Sequence, residues 1–108
     1  MADGDGALPR VLVPYHAAEA ATIKEAAGIA RKSPGTIRAW AASHDIGRHV
    51  AGGGWQISRV ALQMLLDGDR RALKAYLAGD RSTPLVVHHY QRLGISLPAS
   101  VGGQANAR

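Results

Sequence analysis

The chain has 108 residues, by length one domain with tails, and its 13 Lys and Arg against 8 Asp and Glu give a net charge of +5. It contains no Cys, which excludes disulfides, thiolate metal sites and thiol nucleophiles, and a reducing cytoplasm is the expected compartment. No apolar run approaches the roughly 20 residues that span a bilayer, and residues 1–10 are acidic where a signal peptide would be basic, so a soluble, untargeted chain without a membrane partner is expected.

Phe is absent, so Leu, Ile, Val, Trp40, Trp55, Tyr15, Tyr76 and Tyr90 must fill the core, and the many alanines favour helix over sheet. Residues 1–7 hold two Gly and two Asp without apolar periodicity and read as disordered. Leu8 to Pro14 sets an apolar middle between two prolines, which suits an extended arm packed on its own domain or on a neighbour. Helical pattern begins at the capping box Thr22-Ile23-Lys24-Glu25 and carries the stripe Ile23, Ala26, Ala27, Ala30, with Ala17 to Ala21 as candidates for extending that helix backwards. A second start follows at once: Ser33 caps, Pro34 fits the first helical position, and Ile37, Trp40 and Ala41 recur at helical spacing to about Ser43-His44.

From Ile46 to Ala51 and from Trp55 to Ile57 the runs are short and extended, and Gly52-Gly53-Gly54 between them predicts a hairpin with an unhindered tip. Ser58 caps a third helix with Val60, Ala61, Leu62, Leu65 and Leu66, which stops at Asp67-Gly68. Asp69 starts a fourth with Leu73, Tyr76 and Leu77, closed by Gly79, and Thr83-Pro84 starts a fifth from Leu85 to Leu93, closed by Gly94. Residues 95–108 are small and polar, a loose tail. The fold class predicted is mostly α, a winged helix-turn-helix with a short β-hairpin wing and a helical C-terminal extension. Its segments are an arm over 1–21, the module over 22–66, the extension over 67–94 and the tail over 95–108.

The charge is uneven. Over residues 22–62 the cations Lys24, Arg31, Lys32, Arg38, Arg48 and Arg59 face only Glu25 and Asp45. Small residues at Ser33, Pro34 and Gly35 would let the backbone of the second helix approach phosphates and base edges and leave its amides available to an anion. Ile37 and Trp40 share one face and pin this helix to the core, which turns Thr36, Arg38, Ala39 and Ser43 outward.

The stretch Thr22–Leu62 resembles the MerR-like winged helix-turn-helix domain of phage and mobile-element excisionases, also called recombination directionality factors. The matching residues are Thr22, Glu25-Ala26-Ala27, Ser33, Thr36-Ile37-Arg38, Trp40, Gly52-Gly53, Trp55, Ile57, Arg59 and Leu62. The resemblance implies that the glycine-tipped wing, Gly52, Gly53 and Gly54 with Arg48, His49 and Gln56, reaches a minor groove or its flanking backbone. With Lys24, and with Arg31 and Lys32 next to the second helix, these complete the expected DNA-binding set. The chain departs from the family pattern where Arg31 and Lys32 replace a glycine and an aliphatic residue, and where Gly54 and Gln56 stand in place of a basic neighbour of the wing tryptophan. By resemblance the partners are double-stranded DNA, a site-specific integrase and further copies along the DNA. The protein would bias that integrase towards excision of a mobile element, associated with a bacterial nucleoid.

Two other functions fit the same pattern: a MerR-like transcriptional regulator that binds an operator as a dimer, and an interaction adaptor whose helix-turn-helix no longer binds DNA. The five histidines lack metal-ligand spacing, no nucleophile triad or phosphate-cradling loop occurs, and neither cofactor nor enzyme activity is expected. Arg70, Arg71, Lys74 and Arg81 are placed on the fourth helix, as a solvated face or a second surface for a DNA backbone. The apolar stripe Leu85, Val86, His89, Leu93 on the fifth helix either folds back, the favoured outcome, or joins a partner. The Leu8–Tyr15 arm and this helix are the candidates for linking neighbours.

Overall fold

Local capping chemistry fixes most of the helix ends. In the computed structural model residues 10–97 are described, and they form five helices and a small antiparallel sheet. Helix α1, Ile23–Ala30, starts where Thr22 Oγ1 accepts from the Glu25 amide at 3.0 Å while Glu25 Oε1 accepts from the Thr22 amide at 2.8 Å. Helix α2, Pro34–Ser43, is capped by Ser33 Oγ, which accepts from the Thr36 amide at 3.1 Å. Strands β2, Gly47–His49, and β3, Trp55–Ser58, pair with Arg48 opposite Gln56. Their loop closes by Val50 N–H to Gly54 O at 3.1 Å, with Gly52 at φ 76°. Helices α3, Arg59–Leu66, α4, Arg70–Leu77, and α5, Pro84–Leu93, follow, the first two capped by Ser58 and Asp69. The mostly helical class and the helix, turn, helix, hairpin, helix order agree with the sequence and are compatible with a winged-helix-like fold.

The residues before α1 differ from expectation. Ala17 to Ala21 do not extend α1: Ala20–Ala21 forms strand β1, antiparallel to β3 with Ala20 opposite Ser58 and Ala21 opposite Ile57. The capping box turns the Thr22 backbone out of the helix, to φ −75° and ψ 166°, and the amides before it complete the open edge of β3, giving the order β1-β3-β2. The arm is not extended over its described part either. Leu12 has φ 57°, and Val11 and Leu12 are fully buried in the protein's own core. Leu8, Pro9 and the segment 1–7 lie outside the described residues, as does the tail from 98.

One apolar cluster spans the arm, the module and the extension, from Val11 through Ile37, Ile57 and Leu62 to Tyr76, Val86 and Ile95. Helix α5 folds back, burying Val86, His89 and Tyr90, with Leu85 and Leu93 packed at the margin. Ile95 is also buried rather than part of a loose tail. Gly94 adopts φ 68°, and the Ile95 and Gly94 amides donate to Tyr90 O and Gln91 O at 3.0 and 3.1 Å, a Schellman closure that seats Ile95 on the core. Arg81 lies beyond α4, not on it, and its guanidinium stacks 3.6 Å from the Tyr76 ring centroid. Among the described residues no helix is long and apolar enough to cross a membrane.

The core contains a carboxylate. Glu19, 1% exposed, accepts hydrogen bonds from Ser58 Oγ at 2.6 Å, from Tyr90 Oη at 2.8 Å and from Tyr76 Oη. Burial first, and the Glu19 carboxylate second, push both phenols above the usual tyrosine range. At the surface, Asp69 caps α4 through the Ala72 amide at 3.1 Å and takes His89 Nε2 at 2.8 Å. The His89 hydrogen bond, then the Ala72 amide, hold the Asp69 carboxyl below the usual range.

Replacing Tyr90 by Phe removes one of the three donors and should lower unfolding stability by about 1–3 kcal/mol, measured as a shift in the urea midpoint at unchanged slope; a shift below about 0.5 kcal/mol would show that donor to be dispensable. Because the Asp69 pKa is depressed on folding, its contribution is complete above the unfolded value near ~4 and is lost as pH falls through the folded one. Stability should therefore decline in acid below that point, and Asp69→Asn should be weaker at neutral pH but lose less on acidification, read by thermal melts across the range.

Candidate nucleic-acid interface

Helix α2 buries Ile37 and Ala41 and half-buries Thr36 and Trp40, the latter packed on the core, while Ser33, Pro34, Gly35, Arg38, Ala39, Ala42 and Ser43 are exposed. Arg38, Ala39 and Ser43 face outward as the sequence assigns, whereas Thr36, expected on the same face, is half-buried. Not all polar groups of this face are free, however. Ser33 Oγ is the cap and lies 3.0 Å from Thr36 Oγ1, and Ser43 Oγ donates to Ala39 O at 2.8 Å, so these hydroxyls already have partners within the helix. Among the described residues Arg38 has neither a hydrogen bond nor an ion pair from its side chain. Exposed Lys24, Arg31 and Lys32 likewise form no ion pair among the described residues.

The turn between α1 and α2 has a cost. Arg31 sits at φ 57°, ψ 46°, in the left-handed region, and the Lys32 amide donates to Ala27 O at 3.1 Å, a helix closure that glycine normally serves. A side chain in that conformation costs about 1 kcal/mol, yet it holds a guanidinium one turn from the start of α2.

Packing sets the wing beside α2. A Cβ on Gly47 would lie 2.6 Å from Ile57 Cδ1 and 3.1 Å from Ala41 Cβ, so the absent side chain lets the hairpin press against the back of the helix. At the tip, Cβ atoms on Gly52 and Gly54 would meet nothing within 4 Å, and one on Gly53 only Val50 beyond 3.8 Å. A Cβ on Gly35 would touch only Ser33 Oγ at 3.8 Å. Internal crowding therefore demands no glycine at Gly35 or Gly54, whereas a surface pressed against them from outside would.

The wing's polar residues differ from one another. His49 is exposed and sets its ring edge-on to Trp55, centroids 5.2 Å apart. Arg48 and Gln56 are half-buried and joined, Nε to Oε1 at 3.4 Å. The guanidinium also reaches Leu12 O at 3.4 Å and lies 5.5 Å from the Tyr15 ring centroid. These two residues face the arm and support the sheet. Tyr15, whose place beside the wing no local pattern announces, walls a cleft of about 210 Å³ with Trp55, Gln56 and Glu25. The Thr22 amide holds the Glu25 carboxyl below the usual range. Among the described residues no group of three or more His, Asp or Glu side chains is placed to hold a metal ion.

Set against family models, curated proteins and solved structures, the chain matches none of them. What this face can do follows from its own residues: an exposed helix start without bulky side chains, with Arg31 and Lys32 in the turn before it and Arg38 on its open side, offers backbone amides and exposed cations to an extended anion. Replacing Arg31 by Gly should relieve the left-handed strain and raise stability by about 0.5–1 kcal/mol, measured by chemical denaturation; a loss of stability would show that the Arg31 side chain makes contacts that outweigh the strain.

Proposed function

We propose that this protein binds double-stranded DNA through α2 and the wing, and acts as an accessory factor of the excisionase or recombination directionality type. The observation that carries the DNA-binding part is the open N-terminal half of α2, where a Cβ on Gly35 would meet only Ser33 Oγ and where exposed Arg31, Lys32 and Arg38 find no ion-pair partner among the described residues. The recombination part is supported by the resemblance of Thr22–Leu62 to excisionase modules. In this function Ile37 and Trp40 hold the helix, Arg38 grips phosphate or a guanine edge, Ser33, Thr36, Ala39 and Ser43 shape the approach, and Gly52, Gly53 and Gly54 allow the wing tip to lie on a neighbouring groove. One small module makes few phosphate contacts, each contributing about 0.9 to the salt dependence, so occupancy of adjacent sites by further copies along the DNA supplies the remaining affinity. A site-specific integrase provides the strand chemistry, and the bound factor biases it towards excision.

Footprinting across an attachment region tests this directly. A run of adjacent protected sites is the expected outcome; protection of one inverted repeat at a promoter would instead mark a regulator, and no protection at low salt would overturn DNA binding altogether. Arg38→Ala should weaken duplex binding at least about tenfold, near 1.4 kcal/mol, with an unchanged thermal midpoint. Gly35→Glu is the sharper variant. An acidic residue in the first turn should leave α2 as stable as before or more so, while its charge and bulk abolish binding at moderate salt. Retained affinity in both variants would sink the assignment of α2 as the DNA-facing helix.

A further inference from the structure

We infer that Arg70, Arg71 and Lys74 of α4 form a second contact with the phosphate backbone of the duplex that α2 engages. The inference rests on the DNA-binding function proposed above. Ser43 and His44 at the end of α2 and Arg70 and Lys74 of α4 line one groove of about 450 Å³, so the cations of α4 continue the basic surface past the C-terminal end of the recognition helix.

Three observations single this surface out. All three side chains are exposed, and none has an ion-pair partner among the described residues. The carboxylates around them are engaged elsewhere: Asp45 by Arg10 at 3.1 Å, Asp67 by Arg92 at 2.7 Å, and Asp69 by His89 at 2.8 Å. Finally, Arg70 and Arg71 occupy the first turn of an eight-residue helix that has no acidic residue in that turn, the positive end of the helix dipole, where cations are disfavoured. The Asp69 carboxylate that caps this end offsets part of that cost, and a phosphate from outside would offset more.

A phosphate backbone suits the surface better than an acidic protein segment in the groove. Half-buried Leu65 and Leu77 add apolar lining to the groove, but Arg71 lies outside it and extends the charge along the open face of α4, beyond the reach of a segment seated in the groove. A duplex backbone that passes the end of α2 and runs along α4 would be met by all three side chains.

The experiment measures binding against salt for the full chain on a short duplex confined to one footprint and on duplexes lengthened by about one turn on either side. On one of the lengthened duplexes the wild-type salt slope should be steeper than on the short one. In Arg70→Ala/Arg71→Ala/Lys74→Ala the excess should vanish, a reduction of about 0.9 for each phosphate no longer neutralised and about 2.7 for three, with at least a tenfold loss of affinity there and none on the short duplex. The single variant Arg71→Ala should lose about 0.9. The thermal midpoint of the triple variant should stay close to that of the wild type, because the three side chains are exposed and make no ion pair among the described residues. Equal slopes for wild type and triple variant on every duplex, with Arg38→Ala still weakening binding, would overturn the inference alone, and so would a fallen midpoint, which would assign the cations to the fold. Failure of the wild type to bind any duplex would overturn both this inference and the function on which it rests.

Discussion

The fold depends on how a carboxylate with no ion pair among the described residues survives in the core. Burying such a group costs several kcal/mol unless its oxygens are fully hydrogen-bonded. Glu19 achieves this with three hydroxyls, from Ser58 at the junction of β3 and α3, Tyr76 in α4 and Tyr90 in α5. The Ser58 hydroxyl also accepts from the Ala61 amide at 3.0 Å, so one oxygen caps a helix and solvates an acid. The Glu19 backbone takes part as well, its carbonyl accepting from the Arg59 amide at 2.9 Å. Leu12 joins through its amide to Tyr76 Oη at 3.1 Å. The segment before α1, the sheet and the last three helices thus meet at one side chain, and the geometry that each imposes on the others is directional, unlike that of the surrounding apolar contacts.

That junction orders the proposed DNA surface indirectly. Glu19 holds the chain so that Ala20 and Ala21 pair with β3, and β3 carries Ile57, against which Gly47 and the back of α2 rest. Since α2 turns only its Ile37 and Ala41 side inwards, the position of the sheet decides which residues look outwards. The left-handed Arg31 then sets the angle between α1 and α2 with a residue that pays in backbone strain for the charge it brings.

Legibility from the sequence follows the range of the interaction. Thr22, Ser33, Ser58, Asp69, Gly79 and Gly94 act within about four residues of themselves, and their signals placed the helices almost to the residue. The exposed face of α2 was legible for the same reason, because Ile37, Trp40 and Ala41 define its inner side by spacing alone. Strand β1 was not, since two alanines carry no strand pattern and pair through backbone groups with residues near 57. Glu19 was hidden further still, as its partners lie 39, 57 and 71 positions away. Arg48 and Gln56 read as wing contacts because the hairpin was visible while the arm that covers them, with Leu12 and Tyr15, was not. The cations Arg70, Arg71 and Lys74 of α4 were visible in the sequence, but their closeness to the end of α2 was not, because α3 intervenes.

The shared acid has a bearing on modularity. A helix-turn-helix with its wing is usually regarded as a portable cassette, complete once its hairpin has closed. Here a fragment ending at Leu66 would keep Glu19 and Ser58 but forfeit both phenols, leaving an acid half-solvated beneath an apolar sheet. The helical extension is therefore not an appendage grafted onto a finished unit; grafting the first 66 residues elsewhere would transplant a polar side chain stripped of two of its three hydroxyl donors.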